Sequence, residues 1–175
     1  MIQIEKSLTA DSRTAPEGTT KDQLFKSSVQ HIGDVQKGLA FFADMLRYAG
    51  YRHDHTKLEY IDEFYEDFSK GLQGEDFKKA PWFQIHLTER HHLTDRCPDD
   101  VNLIDVLERV ADICMAGMGR SGKVFDDELD LEILEKAYKN TIKLLIDNIE
   151  VVEDTESVNE KDPIKKFQED MGEVK

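Results

Sequence analysis

The 175-residue chain is 39% hydrophobic and 34% charged, which excludes a membrane-embedded or disordered protein and leaves room for one sizeable core. Its 37 acidic and 23 basic residues give a formal charge of −14, a field that opposes a phosphate backbone and argues against long nucleic acids as partners. No apolar run reaches membrane-spanning length, "MIQIEKSLTADSR" lacks the layout of a signal peptide, and Cys97 and Cys114 are too few for a disulfide framework. The expectation is a cytoplasmic domain with reduced cysteines and no membrane partner.

Residues 1–19, closing on "APEGTT", carry scattered turn formers and read as an N-terminal arm. Helical periodicity starts at "TTKDQLF", with Thr20 as cap, and predicts a helix to Gly50 with Leu24, Val35, Leu39, Phe42 and Leu46 as its inward stripe. A second helix over 54–70 carries Leu58, Ile61, Tyr65 and Phe68, and "KGLQGED" breaks it. Pro81 opens a shorter helix, "PWFQIHLTER", that leads into His91 and His92. Asp99 or Asp100 is expected to cap a helix over 100–118, and "GMGRSGK" reads as a loop. A long helix within "DDELDLEILEKAYKNTIKLLIDNIE" follows, with Leu131, Leu134, Tyr138, Ile142 and Leu145 as its stripe. Residues 153–175 form an acidic tail in which "KDPIKKFQEDMG" predicts a short appended helix. No alternating pattern announces a strand, so the fold class read here is all-α, with one helical domain over 20–152.

The chemistry concentrates in "YRHDHTK", residues 51–57. At about 100° per residue, His31 falls within about 40° of Val35, and Asp54 and Lys57 fall within about 40° of Ile61, on the faces expected to turn inward. An isolated charge there costs several kcal/mol, so Asp54 needs a partner. Two partners fit: Lys57 as a simple ion pair, or a divalent metal held by Asp54, His53 and His31, since imidazole and carboxylate suit Mn, Fe, Co, Ni and Zn. The helix over 100–118 adds Asp105 and Asp112 on one face, either as solvated acids beside Glu108 and Arg109 or as a polar strip lining a pocket. The doublet His91 and His92, with His86 upstream, lacks the i, i+4 spacing of a helical zinc motif.

His31, then the adjacent His53 and Asp54, then Asp112 in "RVADI" resemble the H…HD…D signature of the HD-domain superfamily of metal-dependent phosphohydrolases, over about residues 24–150. The resemblance implies an HD-domain-like helical bundle in which His31, His53, Asp54 and Asp112 bind a divalent metal. Lys57 completes an HDxxK pattern like that of the HD-GYP branch, and the "RHH" doublet is similar to that of dinuclear members. By that likeness His86, His91 and His92 hold a second metal and Asp54 bridges the two. "HHLTDRCPDD" stands where the HD-GYP branch has its Gly-Tyr-Pro motif, so the likeness stops short of cyclic dinucleotide cleavage. Lys57 also stands where HD nucleotidases place a catalytic glutamate.

What the resemblance implies about function is hydrolysis of a small phosphorylated substrate, nucleotides first, by a water activated on one or two divalent metals. Asp54 and Lys57 are then the catalytic pair, Lys57 offering positive charge to a phosphate oxygen, with Arg52, Arg90 and Arg96 as further phosphate contacts. Two other readings remain: a mixed-valent di-iron oxygenase of HD type, and a non-catalytic metal-binding helical protein. The partner set is completed by a second copy of the chain, should the domain self-associate.

Overall fold

A computed structural model describes residues 1–6, 17–72, 74–94 and 96–152. These are mainly helical, in the order β1 (Ile2–Glu5), α1 (Lys21–Arg52), α2 (His55–Glu59), α3 (Ile61–Ser69), α4 (Gly74–Lys78), α5 (Pro81–His86), a 3-10 turn (Arg90–His92), α6 (Leu103–Ser121), α7 (Leu131–Ile146) and β2 (Ile149–Val152). The appended helix expected in the tail and most of the N-terminal arm lie outside the described residues. The chain forms two compact units, Met1–Phe41 with Leu145–Lys175, and Phe42–Leu144.

Among the described residues the departure from an all-helical fold lies in the first unit. β1 and β2 pair in parallel, with Ile2 opposite Ile149 and Glu5 opposite Val152. β1, IQIE, alternates apolar and polar residues and its burial follows, but four residues are too short a run to announce a strand until it pairs with β2. Within this unit α1 begins with a reciprocal cap. The Thr20 hydroxyl accepts from the Gln23 N–H at 3.2 Å while the Gln23 side chain accepts from the Thr20 N–H at 2.9 Å. Gln30 and Lys37 donate to the carbonyls of Glu5 and Gln3, each at 2.9 Å, so a polar strip of α1 covers β1.

The helix stripes read from sequence do not face inward. Leu24, Val35, Leu39 and Leu46 are exposed on α1, as are Leu58, Ile61, Tyr65 and Phe68 on α2 and α3, and Leu131, Leu134, Tyr138 and Ile142 on α7. Leu39 keeps 62% of its surface in solvent. Amphipathic spacing identifies an apolar face but says nothing about which neighbour covers it.

In the second unit the expected 54–70 helix is two helices, because Tyr60, at φ −116° and ψ 46°, interrupts the ladder. Buried Trp82 stacks between Phe64 and His86, at ring distances of 3.8 and 4.8 Å, and its N–H at the start of α5 donates to the buried Asp67 carboxylate at 2.9 Å. That contact satisfies one of the orphan donors of a helix start and locks α5, which carries His86, against α3. α6 is capped by Asn102, not by Asp99 or Asp100. The Asn102 side chain accepts from Ile104, and Asp105 reaches back to the Asn102 N–H, a capping box. Leu93, Val101 and Ala137 form the buried apolar cluster, with Cys97, Leu103, Val106, Leu129 and Ile133 packed against it. At the far end of α6 the loop folds back so closely that a Cβ on Gly117 would lie 2.5 Å from the Lys123 carbonyl.

Candidate metal centre

His53 and Asp54 occupy the turn between α1 and α2, where Asp54 takes a left-handed conformation, φ 56° and ψ 24°. Aspartate tolerates this region better than most side chains, and backbone strain of this kind concentrates at functional sites. α5 supplies His86, the 3-10 turn supplies His91 and His92, and α6 supplies Glu108 and Asp112.

The two oxygens of Asp54 point to different partners. Oδ1 lies 3.5 Å from His86 Nε2 and 3.8 Å from His91 Nε2, whereas Oδ2 lies 3.6 Å from His53 Nε2 and contacts the Lys57 ammonium. His53 Nε2 is in turn 3.5 Å from Asp112 Oδ1, and His92 Nε2 is 3.1 Å from His86 Nε2. Among the described residues, three overlapping sets of potential ligand atoms, each within 4.8 Å of one another, result: His53, His91 and Asp112; Asp54, His91 and His92; Asp54, His86 and Glu89. Of the two partners foreseen for Asp54, the Lys57 ion pair forms, on Oδ2 beside His53, while Oδ1 faces His86 and His91 in an arrangement that could hold a metal.

A second layer of acids faces the other ring nitrogens. Glu108 Oε1 lies 3.0 Å from His53 Nδ1 and 3.2 Å from His91 Nδ1. Glu89 Oε1 accepts from the Thr56 N–H at 3.0 Å and from its hydroxyl at 2.5 Å, and that hydroxyl sits 2.9 Å from His86 Nδ1. Glu89 and His91 are buried, while Asp112, with 31% of its side chain exposed, opens the cluster to solvent.

The electrostatics follow from this crowding. Burial pushes the Asp54 carboxyl up, but the Lys57 hydrogen bond and its charge outweigh it and hold the group ionised below the usual range. Glu89 behaves alike, burial being outweighed by its bonds to His86 and Thr56, and Glu108 through its bonds to His91 and His53. Burial lowers the basicity of His91, but Glu108, Glu89 and Asp54 more than restore it. Burial, then the neighbouring His91 and His86, push His92 down to about 4, so that ring is neutral at neutral pH. Three acids around an imidazole cluster favour added positive charge at the centre.

The donor set fits a divalent transition metal. Neutral imidazole and carboxylate oxygens are its natural ligands. His91 Nε2 is buried and has no hydrogen-bond partner, an arrangement that costs free energy in a metal-free interior and is relieved by a cation.

The other candidate residues fall elsewhere. His31 is exposed on α1, about six helical turns before the end that leads into His53, and it belongs to none of the three ligand sets. Arg90 is engaged by buried Asp105 through a two-pronged pair at 2.8 and 2.9 Å, and by Asp100 at 2.8 Å. Asp105 is therefore a capping and pairing residue, and of the two aspartates of α6 only Asp112 reaches the cluster. Arg96 donates to the Gln84 carbonyl and side chain. Exposed Arg52 donates to the Tyr48 hydroxyl at 3.4 Å and, with His55, Arg90, Glu89, Glu108 and His91, lines a cleft of about 500 Å³. Asp54, Lys57, His53 and Asp112 do not line that cleft. Sequence reasoning passed over Glu89, Glu108 and Thr56. A usable signal was present, since Glu89 directly precedes "RHH" and Glu108 lies one turn before Asp112.

No helix among the described residues is long and apolar enough to cross a membrane. Comparison with models of protein families, with curated proteins and with solved structures finds no match to this chain in any of the three.

Proposed function

We propose that this chain is a metal-dependent phosphohydrolase of HD type that acts on a small phosphorylated substrate, a nucleotide being the first candidate. The observation that carries the reading is the division of Asp54, one oxygen toward His86 and His91 and the other toward His53. A carboxylate so placed suits two adjoining cations, and the buried, partnerless His91 Nε2 supports at least one. The nucleotide preference rests on the resemblance to the HD-domain superfamily alone.

When bound, a divalent cation supplies Lewis acidity that lowers the pKa of water from about 15.7 toward 7 and neutralises charge on the phosphoryl group. The chain's own residues do the rest. His53, His86, His91 and His92 offer ring nitrogens, Asp54 and Asp112 offset cationic charge, and Asp112 lies where the cluster opens to solvent. Lys57, about one-third exposed beside Asp54 Oδ2, is placed to hold a phosphate oxygen as negative charge develops there. Arg52 is exposed on the cleft that Glu89, His91 and Glu108 also line, Arg90 is held by Asp105 and Asp100, and exposed Arg96 bonds Gln84.

The test is phosphate release from a panel of nucleotides and small phosphate esters by the metal-loaded protein, with His53→Ala and Asp54→Ala as controls. Turnover on at least one substrate, abolished in both variants, is expected. Iron in the purified protein together with substrate-dependent oxygen consumption and no phosphate release would replace this reading with the oxygenase. Full metal content with neither activity would leave a non-catalytic metal-binding protein.

A further inference from the structure

We infer that Glu108 is the positioning residue of the centre, a single carboxylate oxygen that presents His53 and His91 together as Nε2 ligands. The inference rests on the metal reading above and adds to it the residue that sets which ring nitrogen is free.

The argument is one of donors and acceptors. An ionised carboxylate only accepts hydrogen bonds, and a neutral imidazole carries one N–H and one lone pair. Glu108 Oε1 lies within hydrogen-bond reach of both His53 Nδ1 and His91 Nδ1. In their neutral forms both rings therefore keep their proton on Nδ1, which leaves both Nε2 lone pairs free. Those two nitrogens are the ones that face Asp54 and, for His53, Asp112. The rings are held at 4.5 Å between centroids, so the same oxygen fixes their spacing as well as their tautomers. His86 has a different anchor, the Thr56 hydroxyl with Glu89 behind it, so the two acids serve different parts of the cluster. Outer-sphere carboxylates of this kind commonly change metal affinity by about 10- to 100-fold when removed.

Among the described residues Glu89 also faces His91 Nδ1, but from 3.7 Å, beyond hydrogen-bond distance, so Glu108 at 3.2 Å is the nearer acceptor. Glu108 comes from the middle of α6, whose start is fixed independently by the Asn102 capping box, so its removal leaves the helix anchored. Glu108 borders the cleft, where a shortened side chain is replaced by solvent.

The experiment uses the full chain and two variants, Glu108→Ala and Glu108→Gln. Nitrogen-15 spectra of the metal-free proteins near pH 9, above the ordinary imidazole range near 6.5, report the histidine tautomers. Competition with a chromophoric chelator reports Zn²⁺ affinity. In the native protein His53 and His91 should both show the Nδ1–H form. Glu108→Ala should lose that bias in both rings and bind Zn²⁺ about 10- to 100-fold more weakly. Glu108→Gln keeps an acceptor oxygen and should recover much of the bias. Unchanged tautomers in Glu108→Ala would overturn the assignment, as would native Zn²⁺ affinity in that variant. A native protein that binds no Zn²⁺ yet shows the expected tautomers, lost in Glu108→Ala, would end the metal reading and leave the positioning role standing.

Discussion

Arg90 separates a structural from a catalytic assignment, and Arg90→Ala is the perturbation that decides between them. The guanidinium makes two charge-assisted hydrogen bonds to Asp105, whose side chain is almost wholly buried, and one to exposed Asp100. The Asp100 contact lies in solvent and contributes little. Bonds to charged groups are worth about 1.5–3 kcal/mol each, but Arg90 is itself two-fifths exposed and Asp105 retains the Asn102 N–H at 2.8 Å. The pair therefore stabilises the fold by about 2 kcal/mol after allowance for solvent screening. For a chain of this size that corresponds to a fall in Tm of about 4–8 °C. Thermal unfolding followed by circular dichroism, with and without Zn²⁺, measures it. An unchanged Tm accompanied by a raised KM for a phosphorylated substrate would refute the structural assignment and return Arg90 to the substrate.

Asp67 provides a pH signature. The Trp82 N–H draws its carboxyl below the usual range, burial opposes, and Lys70 adds to the lowering. Its contribution to stability is thus complete above the ordinary carboxyl pKa near 3.9 and is lost as pH falls through the lower folded value. Denaturant midpoints of the native protein and Asp67→Asn should differ at pH 6 and converge in acid; a constant difference would contradict the contact. Gly117→Ala should lower Tm clearly, because the new Cβ meets the backbone of Lys123 and Phe125, while Gly119→Ala, with open space around it, should not. Leu39→Ser should change stability by no more than about 0.5 kcal/mol, given the exposure of that face. A loss above about 2 kcal/mol would mean that the α1 face is covered, by another copy or another segment.

Local chemistry was legible in the sequence wherever one residue type suffices to specify it. Thr20 caps α1, Pro81 opens α5, and the crowding of His53, Asp54 and Lys57 in one turn foretold a charged partner for Asp54. Asp112 was legible only as one half of an ambiguous strip. Its neighbour Glu108 proved to share that inward face, which α6 buries through Ile104 and Asp105. Non-local features were not legible. The pairing of Ile2–Glu5 with Ile149–Val152 depends on two segments far apart in the chain meeting, and the short alternation of IQIE does not name its partner. His31 shows the same limit. Its 40° offset from Val35 was correct as helical geometry, yet Val35 itself is exposed, so sharing a face with it placed the imidazole in solvent. The Tyr60 break was also hidden, because apolar spacing continues across it into α3.

The central claim is that imidazoles from three segments and the carboxylate of Asp54 surround a cation. Elemental analysis of the full-length protein, purified without chelator and then dialysed against Mn²⁺, Fe²⁺, Co²⁺, Ni²⁺ or Zn²⁺, tests it directly. One or two tightly held ions per chain, lost in Asp54→Ala and retained in Lys57→Ala, are predicted. A native protein that takes up none of the five metals, or an Asp54→Ala variant that holds as much metal as the native chain, would contradict it.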